Sequence, residues 1–445
     1  MRRLRSAFPF LLAMLAGCAR AGTAGLPPSP VAPASLAGPA SKIRHVVIIF
    51  QENRTPDNLF NGLPGADTVL SGLNSKGQSV PLKPISITAP YDLGHTHDSF
   101  WIEYNGGKLN GFNNNKSSCL APIICIPEQQ RAYGYVPHNE IKPYFIMATR
   151  YAFGDHMFQT NQGPSFPAHQ YIVSGTSAIA NGSTLRASEN PFRPSDLSSG
   201  GCNSPPGSLV QVIDAAGSEN QKVYPCFNRI SLMELLDDKG LTWRYYQATP
   251  GAGIWNGPDA VLRIVESRGF SNEAVAPPAQ ILTDVANGNL ADVSWVTPTA
   301  LASDHALDTN GTGPSWVAAV VNAIGESKYW NDTAIIVTWD DWGGWYDHVP
   351  PIIYNSYELG FRVPLLVISP YAKPHYVSHV EHEFGSILKF AEKVFGLPSM
   401  HTTDARSDDL SDCFDFTQAP TPFKPIPAPY PPSYFFTQPS TEPDD

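Results

Sequence analysis

The chain has 445 residues, 42% hydrophobic and 11% aromatic, which supports a large buried core in one big α/β domain or two smaller ones and excludes a disordered polymer. A formal net charge of -11, with no segment that concentrates Lys and Arg, excludes a nucleic-acid backbone as partner.

In chain order the first element is a targeting segment. Arg2, Arg3 and Arg5 precede a short apolar run, 7–16, too brief to span a bilayer as a mature helix. Leu15-Ala16-Gly17-Cys18 resembles the bacterial lipobox, which makes residues 1–17 a signal peptide and Cys18 an acylated N-terminus. Ala19 after the Cys resembles lipoproteins sent to the outer membrane. The alternative is a plain secretory signal cleaved among Ala19, Ala21 and Ala24. Both readings export the protein, so the expected location is the outer membrane, facing periplasm or exterior, with a periplasmic or secreted protein as the alternative. Residues 18–41, rich in Ala, Pro, Gly and Ser, read as a tether.

The globular body, 42–416, opens with the apolar run 43–50, a buried strand leading into Gln51-Glu52-Asn53-Arg54-Thr55-Pro56-Asp57. Apolar runs then alternate with helical patterns: helix 144–152, helix 231–238 closed by Gly240, strands 241–246 and 292–296, and helix 315–329. Strand 333–338, strand 363–368 and helix 383–395 follow. This alternation predicts a largely parallel sheet flanked by helices. The Pro-rich tail 417–445 carries Phe423, Tyr430, Tyr434, Phe435 and Phe436, so it is expected to lie on the body. Cys119 with Cys125, and Cys202 with Cys226, are disulfide candidates in an oxidising compartment; Cys413 is then left over, free or part of a different pairing.

The chemistry concentrates at strand ends. Asp340 and Asp341 follow strand 333–338, where α/β sheets place ligands, and two adjacent carboxylates there require a cation or several donors. Glu52 and Asn53 lie just past the first strand and supply matching oxygen ligands for one divalent cation; no Cys cluster or HExxH motif competes. In Gly163-Pro164-Ser165-Phe166-Pro167, Ser165 is placed as an N-cap, where backbone N-H groups favour an anion and a nearby metal would make the hydroxyl a nucleophile. His95, His97, His305 and His348 are candidate proton donors or phosphate-oxygen ligands, and His169 is a candidate for orienting the start of the helix. Trp342, Trp345 and Tyr346 could serve a cationic headgroup or simply pack.

The ordered motifs QENRTPDNLF, GHTHDSF, FQTNQGPSFPAH, SDHA, TWDDWGGWYDHVPP and FRVPLLVISPYAK resemble the bacterial phosphoesterase family of phospholipases C and acid phosphatases over about 42–416. The resemblance implies an alkaline-phosphatase-like α/β fold with a central, mostly parallel sheet between helical layers. It implies one metal held by Glu52, Asn53, Asp340 and Asp341 and touched by the nucleophile Ser165. His95 and His305 fall around the phosphoryl group, with His97 and His348 as further candidates. The implied function is a metal-dependent phospholipase C acting on phospholipid or a related phosphodiester through a phosphoseryl intermediate. A phosphomonoesterase and a non-catalytic ligand-binding lipoprotein are the alternatives. Pro167-Ala168-His169 stands where phospholipases C of the family often carry Pro-Asn-Arg, which leans slightly toward the monoesterase.

Overall fold

The apolar run after Lys42 forms a strand whose residues Val46, Val47, Ile48 and Ile49 are fully buried, as a strand covered on both faces must be. The computed structural model describes residues 42–192, 198–267 and 269–442; the expected signal peptide, Cys18 and the tether to residue 41 lie outside the described residues. Among these, the central sheet has nine strands: β1 (His45–Gln51), β2 (Ala152–Phe158), β3 (Trp243–Tyr246), β4 (Ala274–Val275), β5 (Val293–Val296), β6 (Thr333–Trp339), β7 (Arg362–Ile368), β8 (Tyr376–Ser378) and β9 (His382–Glu383). The order is β4-β3-β5-β1-β6-β7-β2-β8, with β9 also paired to β2. Only β7 runs against its neighbours, β6 and β2; the other pairings are parallel. The architecture is α/β with a mostly parallel central sheet.

The principal helices are α1 (His97–Tyr104), α2 (Lys142–Arg150), α3 (Ser165–Ser174), α4 (Leu232–Lys239), α5 (Gly313–Gly325) and α6 (Phe384–Phe395). Helix α2 packs on α5, and α3 on α6. The local signals for α4 act as expected: Ser231 accepts from the Glu234 N-H, and Gly240 closes the helix in the left-handed region, which suits a residue without Cβ.

Two expectations change. The segment 144–152 is not helical to its end, because Tyr151 is extended and Ala152 begins β2. That strand hides in the sequence because Asp155 interrupts its apolar run; the buried carboxylate is satisfied by the Asp67 N-H at 2.7 Å and by His379 at 2.9 Å. Helix α5 stops at Gly325, four residues early, before the turn that leads into β6.

Beside the main core, a second one gathers Tyr91, Leu93, Phe100, Phe112, Trp342 and Trp345 from the connections around the carboxyl end of the sheet. The disulfides Cys119–Cys125 and Cys202–Cys226 form, and Cys413 is free and buried. The tail buries Ile426 and Phe435, and the Asn322 amide pairs with both backbone groups of Ile426 at 2.8 and 2.9 Å. Among the described residues no helix is long and apolar enough to cross a membrane.

Candidate active site

Register brings the two acidic strand ends together. Gln51 of β1 is paired with Trp339 of β6, so the residues that follow, Glu52 and Asp340, leave the sheet side by side. Asn53 takes a left-handed conformation (φ 61°), which Asn tolerates better than most residues, and its N-H reaches Asp340 Oδ1 at 3.2 Å. The same oxygen accepts the Asp341 N-H at 2.7 Å, while Asp341 Oδ1 accepts the Gly343 N-H at 2.7 Å. Gly343 has to be glycine in this turn: its φ is 60°, and a Cβ would lie 2.5 Å from the Asn53 carbonyl oxygen.

Strand β2 points the same way as β6, so the connection that follows it delivers α3 to the same edge. Ser165 is not the N-cap that the sequence suggests. Pro164 holds that position, and Asn190 Oδ1 accepts the Phe166 N-H at 2.9 Å, which relieves Ser165 of capping. The Ser165 hydroxyl lies instead 3.3 Å from Glu52 Oε2 and 3.4 Å from Asp341 Oδ2. One turn on, His169 Nε2 is 3.4 Å from Glu52 Oε1 and 3.8 Å from Asp340 Oδ2. His169 therefore belongs to the carboxylate cluster itself, a role beyond orienting the helix. The signal available in the sequence was its i, i+4 spacing from Ser165. All six residues, Glu52, Asn53, Ser165, His169, Asp340 and Asp341, are fully buried.

His95 and His305 flank the cluster. The Nδ1 of each faces a backbone carbonyl, Leu93 at 2.8 Å and Ala306 at 2.7 Å, which fixes the proton on Nδ1 and turns Nε2 toward Asn53. The Asn53 amide lies 3.3 Å from His95 Nε2 and 3.0 Å from His305 Nε2. Arg54, which the sequence reading passed over, holds the His305 loop to the end of β1 through two bonds to the Asp304 carbonyl, at 2.6 and 2.9 Å.

The other two histidines are not brought to Ser165. His97 is tied to Glu219 through Nδ1 at 2.9 Å and accepts from Trp101 Nε1 at 2.8 Å. His348 bonds Asp57 at 2.7 Å and Asp67 at 3.1 Å, inside a network closed by the fully buried Arg362 and Asp347. Both rings have both nitrogens engaged in holding loops. Trp342, Trp345 and Tyr346 are buried in the second core, with Trp342 Nε1 donating to Glu103 at 2.6 Å, so they pack and build no open cage.

A cavity of about 520 Å³ adjoins the cluster, lined by His95, Pro164, Lys116, Ser117, Glu189 and Asn190 among others. Burial pushes the Glu189 carboxyl up to about 8 against a hydrogen bond from the His97 N-H, with Glu219 and Asp98 adding to the rise.

The donor set fits a hard or borderline divalent cation. Three buried carboxylates converge, and Asp340 Oδ2 has no hydrogen-bond partner among the described residues. The Asn53 side-chain amide lies 3.1 Å from Asp340 Oδ1 and 3.3 Å from Glu52 Oε2; with its nitrogen turned to them it donates to both carboxylates, and with its oxygen turned to them it can serve as a further oxygen ligand. The Tyr245 hydroxyl donates to the Trp255 carbonyl, so its oxygen accepts from His169 Nδ1 at 3.2 Å; this leaves the Nε2 lone pair of a neutral His169 facing Glu52 and Asp340.

Comparison with known proteins gives a match to the profile of the phosphoesterase family over residues 43–398. Phospholipase C B of Mycobacterium tuberculosis is 26% identical over 455 residues, covering 87% of this chain and 80% of that protein. Hemolytic phospholipase C of Pseudomonas aeruginosa is 25% identical over 444 residues, covering 86% of this chain and 57% of that protein. A solved Vibrio parahaemolyticus structure described as a protein in the alkaline phosphatase superfamily aligns with a TM-score of 0.37 and 10% identity over 83% of this chain and 70% of that one.

Proposed function

The chain belongs to the phosphoesterase family, and from that premise we propose that it is a phospholipase C-type phosphodiesterase that works through Ser165 and one divalent metal. It is a hydrolase acting on phosphate esters. The observation that carries the finer reading is the Ser165 hydroxyl at the head of α3, within 3.3 and 3.4 Å of two buried carboxylates and one turn from His169. The neighbouring cavity of about 520 Å³ favours a diester over a monoester, because it offers room for a second substituent beside the phosphoryl group.

Glu52, Asn53, Asp340, Asp341 and His169 would hold the metal, with Ser165 beside it. When bound, it would supply positive charge that lowers the pKa of the hydroxyl and offsets the negative charge of the phosphoryl oxygens. Ser165 Oγ attacks phosphorus in line, its proton leaving along the contact to Glu52 Oε2. An O-P bond to Ser165 forms as the bond to the lipid alkoxide breaks, and a protonated His95 or His305 gives that alkoxide its proton from Nε2. Water then attacks the phosphoseryl group and gives a proton to the histidine left neutral by the first step; the O-P bond to Ser165 breaks, the phosphorylated headgroup departs, and Ser165 regains its proton from Glu52. Export to the outer membrane and acylation at Cys18 belong to the same proposal, supported by the lipobox-like sequence; palmitate labelling that persists in Cys18→Ala would sink that part.

The deciding experiment compares hydrolysis of p-nitrophenylphosphorylcholine and p-nitrophenyl phosphate by wild type and Ser165→Ala, before and after chelation with metal add-back. The expected result is preference for the diester, loss on chelation, recovery with metal, and a drop of about 10³-fold or more in the mutant. Unchanged turnover in Ser165→Ala would remove the nucleophile from the mechanism, and preference for the monoester would make the protein a phosphatase.

A further inference from the structure

The disulfide Cys119–Cys125 closes a short loop whose tip points its apolar side chains into solvent. Leu120 is 67% exposed, Ile123 93% and Ile124 54%. Residues 117–127 contain no charged side chain. Large aliphatic groups standing out together from an otherwise acidic chain mark an interaction surface. The base of the loop is firmly held: Cys119, Cys125 and Ile126 pack on the second core, the Leu120 N-H reaches the Pro90 carbonyl at 3.0 Å, and Arg131 Nε reaches the Ile126 carbonyl at 3.0 Å. The tip is thus preorganised, and contact there requires little new ordering.

Its place in the fold identifies what it meets. The loop grows out of the strand Ser117–Cys119, and Ser117 and Ser118 line the cavity beside His95. That strand pairs antiparallel with Tyr91–Leu93, and the Leu93 carbonyl fixes the His95 ring. On the other segment that lines the cavity, Phe192 is 62% exposed two residues beyond Asn190. Exposed apolar side chains therefore stand on two segments that, a few residues away, also line the cavity.

We propose that the loop 119–125, with Phe192, is a docking surface that inserts Leu120, Ile123 and Ile124 into a zwitterionic phospholipid bilayer, so that the cavity opens onto the headgroup layer. The inference rests on the phospholipase C reading for its substrate, while lipid contact itself is separable from turnover. The net charge of -11 and the charge-free tip make the contact hydrophobic: binding is expected to depend little on salt and to need no anionic lipid.

The test uses the full chain in the inactive Ser165→Ala background, so that no turnover is required. Ile123→Trp is added, and quenching of its fluorescence by brominated phosphatidylcholine vesicles is compared with that of Ser165→Ala alone. Excess quenching that survives high salt supports insertion; no excess, or binding confined to anionic vesicles at low salt, overturns it. In the active chain, replacing Leu120, Ile123 and Ile124 with Ser should lower hydrolysis of vesicle phosphatidylcholine about tenfold or more, the equivalent of about 1.4 kcal/mol. Turnover of soluble p-nitrophenylphosphorylcholine should stay unchanged, which also shows that the variant folds. Equal rates on vesicles overturn the proposal, and a triple variant that changes oligomeric state in place of lipid contact makes the loop a surface for a second copy. If wild type hydrolyses neither substrate while Ile123→Trp is still quenched, the phospholipase reading falls and the docking loop stands.

Discussion

His169 reaches Glu52 and Asp340 because four residues of helix carry the chain just past one turn, which places its ring below Ser165 on the same face of α3. Tyr245 then holds Nδ1, so a bound ion would meet Nε2. Replacing His169 with Ala is expected to weaken metal retention about 10- to 100-fold, read as metal content after dialysis and by titration of activity with added metal. Undiminished metal content would remove it from the ligand set. His348 stands in contrast. Its ring joins Asp57 and Asp67, so His348→Asn should lower stability by about 1–3 kcal/mol while folded protein keeps kcat on a soluble ester within a few-fold. A collapse of kcat without loss of stability would return His348 to the catalytic list. The sequence could not separate the two: His348 lies seven residues beyond Asp341, whereas His169 is far from the Asp pair along the chain, and only the fold reveals which one faces the carboxylates. Asp340, Asp341, Glu52 and Asn53 were legible because each follows an apolar strand directly, and strand ends meet wherever neighbouring parallel strands stay in register.

Strand β7 shows how an element can carry charge through a core. Arg362 is fully buried, pairs with Asp347 at 2.6 Å and Asp57 at 3.4 Å, and donates to the Asp155 and Asp67 carbonyls at 2.9 and 3.0 Å. It thereby ties the antiparallel strand to the loop after β1 and to β2. Arg362→Leu would leave buried Asp347 without its cation and Asp57 with His348 alone, and the expected cost is about 3–5 kcal/mol in denaturant unfolding. A loss below about 1 kcal/mol would mean that the carboxylates take up protons or water at no real penalty. The same arrangement explains why strand β2 escaped the sequence reading. Its buried Asp155 looks like a surface residue until Asp67 and His379 are seen to satisfy it. Helices with clear caps, such as α4, were readable to within a residue. The segment between β1 and β2 was not, because its short strands and turns owe their shape to packing around Trp342, Trp345 and Phe361, residues distant in sequence.

At the scale of the whole molecule, carboxyl groups retained by burial set the response to pH. Glu392, in α6, is pushed up to about 8 by burial, with Asp404 adding to the rise; Glu189 reaches about 8 for the same first reason. Each stays protonated in the folded chain at pH values where the unfolded chain, with an ordinary value of about 4.5, has already lost the proton. From about pH 4.5 to 8 the folded state therefore holds more protons than the unfolded one, and stability falls as pH rises through that window. His348 acts in the same direction: burial lowers its pKa, but the bond and charge of Asp57 outweigh this, and the stabilisation it brings is lost as pH rises through the raised value. Asp409, brought down to about 2 by Lys393 in spite of burial, works the other way, yet only at acid pH, where its contribution disappears as the pH falls. Glu392→Gln keeps the shape and the acceptor for the Met400 N-H while removing the titration. The variant should match wild type near pH 4.5, melt higher by about 2 °C or more at pH 8, and show a flatter slope between them. Melting curves at half-unit steps of pH decide the matter: parallel profiles for variant and wild type would mean that Glu392 ionises in the folded chain as freely as in the unfolded one, and that burial at the carboxyl end of α6 does not govern the alkaline limit.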